Sequence, residues 1–163
     1  MATKGFLEIP DEDICISPST KRVVETAVAN EDIEFGDVVH FNSALAYGNL
    51  ETASSGDGDL LGVALDDSFT SDLDNQSNFV TGDVVPVVLE GYCRVTASEE
   101  IDVGDLVAAA SDGKVKPVTY STTTDDDLDV IDEKPDEVLG IAVTDDATQD
   151  GDELIVAVSQ GGW

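Results

Sequence analysis

Few side chains in this sequence have obvious chemistry: one histidine, two cysteines and a large surplus of carboxylates. His40 stands in the run Val38-Val39-His40-Phe41, at a position that alternation points away from a core. A nucleophile, base and orienting group must meet for triad catalysis, and no second His or suitable Cys is spaced to join His40. Gly-x-Ser-x-Gly, Walker and His-Glu-x-x-His signatures are absent. Cys93 precedes Arg94, and a neighbouring cation can activate a thiol. The apolar run around Cys93 instead predicts a small core residue. Cys15 and Cys93 lie far apart and give no disulfide framework.

Carboxylates are so abundant that no pair stands out as acid and base, which would need two distinct environments. Asp57-Gly58-Asp59 and Asp125-Asp126-Asp127-Leu128-Asp129 are cation candidates by composition. Neither has the alternating oxygen ligands, central Gly and closing Glu of an EF-hand loop, so solvated loops are expected. No catalytic, cofactor or metal residues are assigned.

Thirty-six acidic residues against seven basic ones give a formal charge of −29 on 163 residues. Phosphate recognition needs clustered Lys and Arg, so nucleic acid is excluded as a direct partner. Such charge density repels itself in the compact state. At molar salt the Debye length falls to about 3 Å and screens that repulsion. The composition therefore predicts a protein adapted to high salt; a solvating acidic surface at ordinary salt and a multivalent-cation site are the alternatives. Hydrophobic residues make up 41%, enough for a folded core at this length. No apolar run is long enough to span a membrane as a helix. The start, MATKGFLEIPDED, has no signal-peptide apolar region, so synthesis in the cytoplasm is expected.

The elements that would position any site come from a repeat. Glu31-Asp-Ile-Glu-Phe-Gly-Asp-Val-Val39 returns as Glu99-Glu-Ile-Asp-Val-Gly-Asp-Leu-Val107. Leu60-Leu-Gly-Val-Ala-Leu65 returns as Val138-Leu-Gly-Ile-Ala-Val143. Gly82-Asp83 leads one apolar strand and Gly151-Asp152 another. The four pairs Gly36-Asp37, Gly82-Asp83, Gly104-Asp105 and Gly151-Asp152 read as structural turns, with permissive backbone at Gly and a local acceptor at Asp. Small residues in the Leu-Gly-Val/Ile-Ala strands admit close backbone approach, at a tight barrel wall or a subunit contact. Phe35, Leu61, Val63, Leu139 and Ile141 are candidates for core or subunit contact.

Strands are expected at residues 23–29, 38–41, 60–65, 84–89, 92–97, 114–118, 138–143 and 154–158. Residues 42–59 and 66–81 read as loops, Glu90-Gly91 as a turn, and Ser111-Asp112-Gly113-Lys114 as a hairpin turn. Pro86 suggests an edge or bulge. Residues 121–137 form an acidic insertion. Short strands punctuated by Gly and Asp predict an all-β barrel or sandwich over 23–163, with half-repeats at about 23–91 and 92–163. Residues 1–22 read as an extended arm carrying three of the seven basic residues: Lys4, Lys21 and Arg22. It is either a loose terminus or a segment that folds on a partner.

The ordered blocks, Ala27 to Val39, Leu61-Gly62-Val63-Ala64, Val85 to Val95, Ile101 to Val107, Pro117, Leu139-Gly140-Ile141-Ala142 and Ile155-Val156-Ala157-Val158, resemble the capsid decoration, or cement, proteins of tailed viruses. The similar branch is one often mislabelled as a RecA/RadA-like recombinase, an activity for which this chain has no Walker loop. The resemblance spans roughly 23–160 and implies a non-enzymatic β-rich virion protein. It implies binding to the outside of an icosahedral head, between major capsid proteins, commonly as a homotrimer. With the acidic composition it suggests a virus of a halophilic archaeon. Lys4, Phe6, Ile9, Lys21 and Arg22 in the arm then become the capsid-contact candidates. The acidic insertion at 121–137 and the loop at 66–81 depart from the family pattern. A soluble, salt-adapted β-barrel that binds a cation or small ligand without catalysis is the other expectation.

Overall fold

The computed structural model describes residues 23–41, 49–53, 61–65, 78–122, 129–131, 137–144 and 147–159. Among the described residues, thirteen strands follow one another: β1 Val23–Ala29, β2 Ile33–Glu34, β3 Val38–Phe41, β4 Asn49–Thr52, β5 Leu61–Ala64, β6 Asn78–Phe79, β7 Val84–Thr96, β8 Leu106–Ala109, β9 Val115–Pro117, β10 Tyr120–Thr122, β11 Asp129–Ile131, β12 Val138–Ala142 and β13 Glu153–Ser159. A 3₁₀ turn at Ser111–Gly113 joins β8 to β9, with Asp112 and Gly113 both at positive φ as a tight hairpin requires.

Nine strands form one sheet in the order β1-β4-β3-β5-β7-β13-β12-β8-β9, and β1 also pairs with β7. That extra ladder closes a first ring: β1, β4, β3, β5 and the first half of β7. The second half of β7, with β13, β12, β8 and β9, makes a second ring. A parallel bridge between Ala97 and Val115 joins its ends. Closure removes the unpaired edges that short strands would otherwise expose. Val85 and Val87 point into the first ring with Ala27, Ala29, Ile33, Val39, Leu50 and Ala64. Val95, Ala97, Ile101, Val107, Val115, Ala142, Leu154 and Val156 belong to the core of the second. The β-branched residues at alternate positions satisfy the period of two that a half-buried strand demands.

β7 corrects the expected turn at Glu90-Gly91. The chain runs straight through as one 13-residue strand. Gly91, at φ 132°, takes a backbone shape closed to other residues, while β13 pairs continuously from Thr96 back to Glu90. Pro86 lies inside β7, opposite Thr26, and its carbonyl accepts from Leu65 N at 2.9 Å. The expected edge or bulge is not at Pro86, since β7 is flanked there by β1 and β5 in regular register; the ladder's one register shift is at Val23/Val24. Two expected loops also contain strands: β4 lies within 42–59 and β6 within 66–81. β4 is held by Thr52, whose N and Oγ1 both donate to Glu31 Oε1 at 2.7 and 2.6 Å. β6 pairs with β2, where Phe35 and Phe79 meet edge to face at 5.0 Å. Within the acidic insertion, β10 and β11 pair with each other.

Candidate interaction surface

The turn residues are built alike. Asp37 Oδ2 accepts from Glu34 N at 2.8 Å, Asp83 Oδ2 from Val80 N at 2.9 Å, and Asp105 Oδ2 from Asp102 N at 3.0 Å. Asp152 Oδ2 accepts from Thr148 N, Thr148 Oγ1 and Gln149 N at 2.9, 3.1 and 3.2 Å. Those donors hold the Asp152 carboxyl below its ordinary pKa. Gly36, Gly82, Gly104 and Gly151 all have φ between 89° and 96°. Each Asp thus satisfies amides that the turn strips from the ladder, which is scaffold chemistry.

The candidates for reactivity are separated by strand alternation. Cys93 is a buried core residue. The adjacent Arg94 points to the opposite face and pairs with Glu153 at 3.1 Å. His40 Nε2 lies 4.0 Å from Glu51 Oε2, and its side chain is only 12% exposed, less outward than alternation suggested. Among the described residues, no three His, Cys, Asp or Glu side chains converge into a metal-holding group. Asp57-Gly58-Asp59 and Asp125 to Asp127 lie outside the described residues, as do Lys4, Phe6, Ile9, Lys21, Arg22 and Cys15.

Asp37 differs from its counterparts. Its carboxyl is packed beneath the 111–113 turn, so close that a Cβ added to Gly113 would stand 2.7 Å from Asp37 Cγ. Burial, with Glu34, Glu31 and Asp112 nearby, pushes its pKa up to about 6 despite the bond from Glu34 N. Beside it, Gly113 N donates to Ala53 O at 3.4 Å, and a Cβ on Gly36 would stand 3.1 Å from Arg94 O. These contacts dock the second ring on the outside of the first.

The two rings also expose different things. In the first, one row crosses β1, β7, β5 and β3 as Val24, Val88, Val63 and Val38. The last three are fully buried, in one cluster with Cys93, Ala109, Leu139 and Val158 of the second ring. In the second ring the row crosses β7, β13, β12 and β8 as Tyr92, Ala157, Ile141 and Leu106. Tyr92 is 43% exposed, and the other three are half-buried. Val143 and Val103 stand exposed nearby. Of the residues expected to serve core or contact, Val63 and Leu139 are core, Phe35 and Ile141 are half-buried, and the Leu61 side chain lies outside what is described. Sequence reasoning missed Tyr92, Leu106 and Ala157, whose place in the row is fixed by register across four strands. The signal available was the Tyr92/Val24 and Leu106/Val38 correspondence between the repeated blocks.

A protein-family model described as structural cement protein (E217 gp24/Pam3 gp6) matches residues 14–159. No curated protein matches the chain. Among solved structures, the head fiber gp8.5 N base of bacteriophage phi29 is similar in fold. It shows a TM-score of 0.54 at 20% identity, over 85% of this chain and 95% of that one.

Proposed function

The chain belongs to the structural cement protein family of phages, and we propose that it decorates and stabilises the outer surface of an icosahedral head by binding between major capsid proteins. The family match over 14–159 carries this reading. The scaffold suits it: closed rings, turn carboxylates spent on backbone amides, and a reactive-looking thiol sealed in the core. The mechanism is distributed surface burial without bond chemistry, and a homotrimer would add avidity by raising effective concentration at neighbouring sites. The virus would be one of a halophilic archaeon, and the protein would be made in the host cytoplasm before joining the virion. Residues 1–22 would act as an arm reaching a capsid neighbour, by strand addition to an exposed edge, through Lys4, Phe6, Ile9, Lys21 and Arg22. The ladder-for-ladder match of the rings supports duplicated halves at about 23–91 and 92–163.

The test is electron microscopy of heads incubated at molar salt with the full chain and with a chain lacking residues 1–22. Full-length protein should appear on the outer face, and the truncated, still folded protein should not. Equal occupancy by both would remove the arm from the mechanism, and no occupancy by either would remove the cement reading.

A further inference from the structure

The two rings are joined head to tail, which leaves a matching pair of unused surfaces. The joint uses the Val88-Val63-Val38 row of the first ring and, in the same buried cluster, Cys93, Ala109, Leu139 and Val158 of the second. The row's counterpart on the second ring, Tyr92-Ala157-Ile141-Leu106, stays partly open. The neighbouring turns repeat the asymmetry. A Cβ on Gly36 would meet Arg94 O, whereas a Cβ on Gly104 would meet nothing within 4 Å.

The complementary surface is open as well. By register, Ala109 corresponds to Phe41 and Val158 to Leu89. Both are half-buried and packed on the first ring's core. Cys93 corresponds to the exposed Glu25, so each molecule presents an apolar row at one end and, at the other, a ring end of Phe41 and Leu89 bordered by one carboxylate. Within the chain, surfaces of the same two kinds already bind each other.

We propose that a second copy of this chain seats the Phe41 and Leu89 end of its first ring on the Tyr92-Ala157-Ile141-Leu106 row, repeating the internal joint between molecules. This deepens the cement reading by assigning its self-association to named surfaces, and rests on it for the closed trimer. The contact is heterologous: different patches meet, so copies close a ring when the rotation permits and otherwise extend. A closed trimer built this way would carry six barrels around its axis. The row itself bears no charge, and at molar salt the acidic surroundings are screened.

The experiment measures mass by light scattering at molar salt for the full chain, Ile141→Asp, Leu89→Asp, and a mixture of the two variants. Wild type is expected to form oligomers, and each variant to fall to one chain, 17.1 kDa, with an unchanged circular dichroism spectrum. The mixture should form a pair, because one variant keeps an intact row and the other an intact end. Ala157→Arg probes the same row from a neighbouring strand should Ile141→Asp fail to fold. A monomeric wild type, or assembly of Ile141→Asp and Ala157→Arg like wild type, overturns the proposal. Failure of the mixture to pair overturns its head-to-tail form. Binding of each protein to heads is scored separately: lost self-association with no head binding by any protein would leave this joint standing and defeat the cement reading.

Discussion

Asp37→Asn isolates the electrostatic consequence of docking one ring on the other. The folded carboxyl titrates at about 6 against an ordinary 3.8, chiefly because it is buried under the 111–113 turn, with Glu34, Glu31 and Asp112 adding repulsion. At 1.36 kcal/mol per pH unit, that rise corresponds to about 3 kcal/mol of charge penalty at neutral pH. Water still reaches part of the group, and screening reduces the figure to about 1–2 kcal/mol. The sign follows from proton binding. Between pH 3.8 and about 6 the folded chain holds a proton that the unfolded chain has released, so stability falls as pH rises through that window. Below it both states are protonated and the penalty vanishes. Asn at 37 can still accept from Glu34 N through Oδ1, so the turn survives. Asp37→Asn should therefore match wild type near the ordinary carboxyl pKa and exceed it by about 1–2 kcal/mol above the folded one. The other carboxylates are common to both proteins and largely cancel in the difference. Asp105→Asn, which replaces the acceptor of the same bond in an open turn, measures the contribution of the bond itself. Urea unfolding across the window, at fixed molar salt, gives the curves. Parallel wild-type and Asp37→Asn curves would refute the burial of this carboxyl and, with it, the docking of the rings.

Gly140→Ala should destabilise by about 3 kcal/mol or more, since its Cβ would stand 2.0 Å from Ala157 O, and a backbone atom cannot rotate away. A denaturation midpoint within error of wild type would contradict the β12–β13 register. Val63→Asp and Ile141→Asp occupy the same place in the two rows. The first should abolish cooperative unfolding, because an unpaired buried carboxylate costs several kcal/mol, while the second should keep its melting transition. Similar behaviour of the two would deny the difference in cover. Melting temperature should climb with KCl concentration as the −29 charge is screened, and indifference to salt would count against salt adaptation.

Much of the architecture was legible because it is written in local chemistry. The Gly-Asp pairs mark turns through a backbone need that is met within three or four residues, a signal contained in each short segment. The apolar strands likewise announce themselves by alternation, and Gly62 and Gly140 by the small side chain that close packing requires. What stayed hidden depends on distant partners. Asn49–Thr52 has little strand character of its own; β3, β1 and the Glu31 carboxylate make it one. Glu90-Gly91 looks like a turn because Gly usually breaks a strand, yet β13 pairs across both residues and outweighs the local preference. The row on the second ring is the extreme case, since its four members lie on four strands and become neighbours only through register.

The same distinction explains why a repeated sequence need not yield two equivalent surfaces. Val38, Val63 and Val88 match Leu106, Ile141 and Ala157 in position and apolar character, yet only the first set is sealed. Burial here belongs to the head-to-tail order of the rings, in which each joint consumes one row and one end. Two rings in a chain make one joint and leave one surface of each kind. Replacing Ile141 or Ala157 with charge should therefore leave the internal joint untouched, because neither belongs to the buried cluster that forms it. A charged variant set that folds but no longer associates would place the use of Tyr92, Leu106, Ile141 and Ala157 in assembly.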